Sequence, residues 1–203
     1  MSFEEVPKAA QVYERLGAGI GPVLEALGMR RVSRLSYPAW VLREVPEGLN
    51  VFLSLQTHAK AKDTFAGGRF RVELEKSSSG RPAGGLGGRA MFFQLLTSAE
   101  LQTLLEQQNT VITGLPRPPQ SHVDGYPATL RDHYLSWFEP QSKFTAIDAW
   151  MRYRSLSDLD AWAAILVPLM PVLIERATTY LDGTTLQLGS HSLLGARQGQ
   201  DRP

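Results

Sequence analysis

The stretch from Tyr37 to Lys76 constrains this chain more than any other, because its apolar residues recur at every second position. Leu49, Val51, Leu53 and Leu55 alternate with Asn50, Phe52, Ser54 and Gln56, and Phe70, Val72 and Leu74 alternate with Arg69, Arg71, Glu73 and Glu75. Side chains on an extended strand point to opposite faces in turn, so this period describes a sheet with one apolar and one polar face. The expectation is a meander of three antiparallel strands: about Ala39 to Glu44, Leu49 to about His58, and a third after Gly67-Gly68. Val45-Pro46-Glu47-Gly48 makes the first turn, with proline presetting φ and glycine accepting a positive one. Helices elsewhere must cover the apolar face.

Upstream, Val6, Ala10, Tyr13, Leu16, Ile20, Val23, Leu24 and Leu27 trace a helical stripe. Gly17, Gly19, Gly21 and Pro22 interrupt it. An interior glycine costs about 1 kcal/mol relative to alanine, so two helical pieces are expected, with Pro22 opening the second. Gly28 stands where a C-terminal cap belongs, and Arg30-Arg31-Val32-Ser33-Arg34 is a basic link into the first strand.

Downstream, Ser77 to Arg89 is rich in glycine and reads as a loop. Thr97 and Glu100 form a capping box for a helix from about Ser98 to Val111, with Leu101, Leu104 and Leu105 as its buried stripe. The proline-rich segment 115–127 reads as an irregular excursion, and the following short helix to Phe138 presents Leu130, Tyr134, Leu135 and Phe138. A fourth strand is expected from Phe144 to Arg154, with Ile147, Ala149, Met151 and Tyr153 opposite Asp148, Trp150, Arg152 and Arg154. Ser157 and Asp160 open a closing helix that Pro168 and Pro171 are expected to kink or split. Residues 183–203 read as a disordered tail behind a single domain over 1–182.

Composition narrows the functional classes. The 21 Lys and Arg nearly cancel the 20 Asp and Glu, leaving +1, so no whole-protein field draws the chain to DNA or an acidic membrane. The absence of cysteine excludes disulfides, cysteine nucleophiles and thiolate metal sites. The N-terminus carries acids where a signal peptide has a basic start. The apolar stretch Ala161 to Ile174 is interrupted by prolines and is shorter than the roughly 18 to 20 residues that span a bilayer. The expectation is a cytoplasmic protein without membrane contact.

Pro22 to Arg31, Leu53-Ser54-Leu55-Gln56, and Ala149-Trp150-Met151-Arg152-Tyr153-Arg154 before a capped helix resemble the bacterial family called domain of unknown function 4304. The resemblance covers about half the chain and departs at Met29, where an aromatic residue is expected, and in the excursion from Leu115 to Phe138. It implies an architecture and no activity.

Chemistry concentrates on the polar sheet face, where Gln56, His58, Arg69, Arg71, Glu73, Trp150 and Arg152 are candidate ligand-binding residues. Aromatics among arginines suit a planar anion or stacked bases, while cross-strand Arg and Glu pairs also decorate ordinary sheets. The loop from Gly80 to Ala90 matches neither phosphate-loop spacing nor the dinucleotide fingerprint. His122, Asp124, Asp132 and His133 have no metal-site spacing, and no nucleophile motif is present, so no metal, cofactor or catalytic residue is assigned. The fold expected is α+β in the order α-β-β-β-α-α-β-α, with a four-stranded, mainly antiparallel sheet covered by helices on one face. The function expected is non-enzymatic binding of a protein partner, or of a small phosphorylated or anionic ligand by a binder or an enzyme. Single-stranded nucleic acid is a third reading, against which the near-neutral charge argues, and a homodimer through the edge strands is left open.

Overall fold

The computed structural model describes residues 5–45, 48–58, 63–78, 80–82, 88–145 and 149–181. Helix α1 (Ala9–Ala26) leads into the two-residue strand β1 (Arg30–Arg31), and β2 (Ala39–Val45), β3 (Leu49–Thr57) and β4 (Gly68–Ser77) form the meander. Strand β5 (Arg89–Met91), helix α2 (Ser98–Gly114), and the shorter helices α3 (Gln120–Asp124) and α4 (Ala128–Leu135) follow. Strand β6 (Met151–Tyr153) and the long helix α5 (Leu156–Tyr180) close the fold.

The architecture is α+β, and every strand pairing among the described residues is antiparallel. The sheet runs β1-β2-β3-β4-β5, with β6 also pairing β4, so it has six strands where alternation predicts four. β5 sits opposite Glu73 to Glu75 and β6 opposite Gly68 to Phe70, so the two short strands share one edge of β4 end to end. Neither β1 nor β5 is long enough to display a period in sequence. The fourth strand shrinks from the expected Phe144 to Arg154 to Met151–Tyr153. Ile147 and Asp148 lie outside the described residues, as do Pro46, Glu47 and the tail from Asp182.

Register places Trp40, Val51, Leu53, Leu55, Val72 and Leu74 on the face covered by α1 and α5. Leu16, Ile20 and Leu24 of α1 and Leu159, Trp162, Leu166 and Leu173 of α5 complete this core. Each such side chain contributes about 1.5 to 3 kcal/mol on burial, which makes the two helices and the sheet one cooperative unit. Lys76 also falls on this face, opposite Val51, and donates from Nζ to the Thr178 carbonyl near the end of α5. A cation there complements the exposed carbonyl end of the helix dipole.

α1, expected in two pieces, is continuous, and α5, expected to kink or split at its prolines, is not split. α1 passes through Gly17, Gly19, Gly21 and Pro22 without a break, and Gly19 and Gly21 sit where neighbouring elements come close. A Cβ on Gly19 would lie 3.3 Å from Ala163 of α5, and one on Gly21 would lie 3.6 Å from the Trp40 ring. Gly28, at φ 84°, ends the helix as expected, donating to the Glu25 carbonyl while Met29 donates to Leu24, the paired bonds of a Schellman cap. α5 carries Pro168 and Pro171 on its exposed side, where the carbonyls they leave unbonded can be hydrated, and its buried stripe holds it together. Its cap is Ser155, with Asp158 donating its N–H to the Ser155 hydroxyl, two residues before the expected start at Ser157. By length and composition α5 is apolar enough to cross a membrane.

The capping box at Thr97 and Glu100 forms as expected, and α2 extends to Gly114. The excursion contains α3, which starts after Pro119 where a fixed φ is compatible with a first turn. In α4 and the 3₁₀ turn after it, Tyr134 and Phe138 are buried as expected. Leu130 and Leu135 are instead 48 % and 39 % exposed, because this short helix is anchored by one side only. Tyr134 and Phe138 join Ala66, Leu115 and Val123 in a second small core at the β3–β4 end of the sheet.

Candidate anion-binding groove and the sheet face beside it

The second sheet face is not open to water. Phe52, Ser54, Glu73, Glu75 and Arg152 are buried, because the connection carrying Tyr37, the segment at Pro82, Trp137 and Trp150 lie over this face. The sequence pattern reports polarity along a strand and carries no information about what roofs it.

The seven predicted site residues are placed together, in two linked groups. Gln56, opposite Arg71 on β3 and β4, donates to Glu73 at 2.7 Å and accepts from Arg71 at 3.0 Å. Glu73 also pairs with Arg71 at 2.5 Å and with Arg89 of β5. Its side chain is only 4 % exposed against 22 % and 21 % for the two arginines, so one buried carboxylate neutralises two half-sheltered cations. Arg71 stacks over the Trp150 ring at 4.5 Å, and His58 meets the same ring edge-on at 5.3 Å. His58 is held below its ordinary pKa, first by desolvation and then by Arg69, so it is a neutral imidazole near pH 7. Arg69 and Arg152, directly opposite on β4 and β6, lie 4.5 and 5.8 Å from the Trp137 ring. Arg152 is 1 % exposed, which corrects the expectation of a wet position, while the Trp162 indole N–H donates to its carbonyl at 2.7 Å. Trp40 faces the helices and Trp150 the opposite side, a choice the sequence left undecided.

At the β3–β4 end, Asp63 accepts from the backbone N–H groups of Phe65 and Ala66, both at 2.8 Å, and from the Tyr134 and Tyr126 hydroxyls at 3.1 and 3.3 Å. Burial alone would raise its pKa, but the bonds from Ala66, Phe65 and Tyr134 and nearby His122 hold it below the ordinary carboxylate range. His122 Nε2 is 3.6 Å from Asp63, and its ring packs against Phe65 at 4.7 Å. This latch ties α3 and α4 to the sheet. Among the described residues no three His, Asp or Glu side chains gather in a metal-binding group.

The surface with available charge lies at the other edge. An open groove of about 410 Å³ runs between Tyr13 of α1 and the segment from Arg31 to Pro38. Arg31, Ser33, Arg34, Ser36 and Tyr37 supply its polar wall, and among the described residues no carboxylate lines it. The pairing of β1 with β2, extended by the Val32 N–H to the Ala39 carbonyl at 2.9 Å, fixes one end of this segment. Arg34 then adopts φ 63°, the one non-glycine residue in the left-handed region among the described residues, at a cost of about 1 to 2 kcal/mol. Arg31 and Arg34 are exposed and, like Arg30 and Arg43, form no ion pair among the described residues, whereas Arg15, Arg71, Arg89, Arg117, Arg131 and Arg176 each face a carboxylate. The Tyr13 hydroxyl is tied to Thr57 Oγ1 at 3.0 Å. Tyr37 lines both this groove and a closed space of about 20 Å³ over Glu73, and its pKa is raised by burial and then by the Glu73 charge, so the phenol stays protonated and able to donate.

Arg30 to Arg34 has no periodicity and reads as a link between elements, so no pattern in the sequence marks this groove. The usable signal was compositional: two serines and three arginines within seven residues, with no acid until Glu44. Comparison with family models, with curated proteins and with solved structures finds no match to this chain.

Proposed function

We propose that the protein is a binding protein that holds an anionic ligand in the groove between Tyr13 and the Arg31–Pro38 segment. The observation that carries this reading is the pair Arg31 and Arg34, exposed on one concave wall without an acidic partner among the described residues. Guanidinium groups present fixed forks of donors that match carboxylate or phosphate oxygens two at a time. The strained backbone at Arg34 further supports the reading, because such conformations persist where surrounding structure or function requires them. The sheet face, where cations already answer Glu73, becomes the support behind the groove. Membership of the family that Pro22 to Arg31 resembles is part of this proposal and adds an architecture without an activity.

The test is a melting curve of the full chain with inorganic pyrophosphate at low ionic strength. A ligand binding only the folded state stabilises it by about 2.7 kcal/mol at a hundredfold excess over Kd. The wild type is expected to melt higher with pyrophosphate, and the Arg31→Ala/Arg34→Ala double variant is expected to lose that shift. Equal shifts in both proteins contradict the proposal.

A further inference from the structure

The groove's composition specifies the class of ligand more narrowly, an inference that rests on the anion reading above. We infer that the ligand is a phosphorylated compound with a planar ring, of the nucleotide class, its phosphates held by Arg31 and Arg34 and its ring by Tyr13 and Tyr37.

Three observations point the same way. Two arginines with the hydroxyls of Ser33 and Ser36 provide more donors than one carboxylate can accept, and suit the several oxygens of a phosphate or diphosphate. Next, the rings of Tyr13 and Tyr37 make no aromatic or cation contact among the described residues, although both line the groove. The contrast with Tyr126 and Tyr134, stacked on each other at 4.3 Å, is direct. Tyr13 is also fixed through its hydroxyl to Thr57, so its ring is held in place before any ligand arrives. Finally, about 410 Å³ falls in the size range of sites for small molecules and exceeds what a free phosphate fills. Arginines and unstacked tyrosines lining one groove supply the two chemistries a nucleotide needs, for a polyanion and for a flat ring that stacks.

Isothermal titration of the full chain at low salt with pyrophosphate, ribose 5-phosphate, ADP and a ten-nucleotide single strand separates the outcomes. ADP is expected to bind about tenfold or more tightly than pyrophosphate or ribose 5-phosphate, the lower range of base–aromatic stacking. Tyr37→Leu is expected to lower ADP affinity about tenfold more than it lowers pyrophosphate affinity, and Tyr37→Phe to keep the wild-type ratio between the two. Equal affinity for ADP and pyrophosphate, with both still dependent on Arg31 and Arg34, overturns the ring and leaves the anion reading standing. Binding of none of these probes, or binding indifferent to Arg31→Ala/Arg34→Ala, overturns both. A strand that binds more tightly than ADP overturns the small-ligand class. If Tyr37→Leu does not fold, the wild-type preference for ADP over both pyrophosphate and ribose 5-phosphate decides the question.

Discussion

The guanidinium of Arg71 lies over the ring of Trp150, 4.5 Å from its centroid, while the same group pairs with Glu73 at 2.5 Å. That double engagement makes the polar sheet face a closed support. Glu73 is its centre, because Arg71, Arg89 and Gln56 all converge on its two oxygens.

Glu73→Ala should therefore destabilise the fold by about 3 kcal/mol, since it strands two half-sheltered cations next to each other. Trp150→Ala should cost less, about 1 to 2 kcal/mol, because it removes a cation–ring contact without leaving an unanswered charge. Urea unfolding of the two variants reads the order directly, and a larger loss for Trp150→Ala contradicts it.

Gly67 and Gly68 admit β6. Gly67 has φ 73°, and a Cβ there would collide with the Tyr153 backbone carbonyl, while one on Gly68 would collide with the buried Tyr153 ring. Gly67→Ala is expected to cost more than about 2 kcal/mol, combining left-handed backbone strain with displacement of the β4–β6 pairing. Gly80→Ala, where a Cβ meets nothing within 4 Å, should stay within about 0.5 kcal/mol. Thermal unfolding of the three proteins measures both differences.

These glycines show what was legible in sequence and what was not. Alternation located β2, β3 and β4 nearly to the residue, and Thr97, Gly28 and Gly48 announced their caps and turns through local chemistry. Gly19 and Gly21 carried the opposite message from the expected one: they read as helix breaks and serve as contact points for Ala163 and Trp40, partners distant in sequence. β5 and β6 are defined by pairing with β4, and a three-residue strand has no period to read. The predicted site residues are neighbours in space, but their burial depends on Trp137 and on the Tyr37 connection, whose positions no local pattern encodes.

Stability should fall at both ends of the pH scale for separable reasons. Asp63, with its hydrogen bonds from Ala66 and Phe65, and Glu100, bonded to Arg176 and Thr97, both titrate below their ordinary values despite opposing burial. A depressed folded pKa gives stability that is present above the unfolded value, about 4, and is lost as pH falls through the folded one. Tyr153 is pushed up to about 12 by burial and then by Tyr13, so its contribution is full below about 10 and is lost as pH rises from there towards 12. Urea midpoints should be flat near neutrality and drop below about pH 4. Asp63→Asn should blunt the acid drop and Tyr153→Phe the alkaline one, and unchanged limbs in both variants contradict these assignments.

Arg34 combines backbone strain with a charge facing the groove. Arg34→Gly relieves the left-handed strain but adds flexibility to the unfolded chain, so stability should change by less than about 1 kcal/mol in either direction. Anion binding should nevertheless weaken in this variant, a split between stability and ligand affinity that paired melting and titration experiments detect.

The most direct measurement is a ¹H–¹⁵N NMR titration of the full chain with pyrophosphate. Saturable shifts are expected, concentrated in the amides of residues 31–37 and near Tyr13, abolished by Arg31→Ala/Arg34→Ala, with β4 and β6 unmoved. Shifts centred on Arg69, Arg71 and Trp150, or none at all up to millimolar ligand, would contradict the proposal.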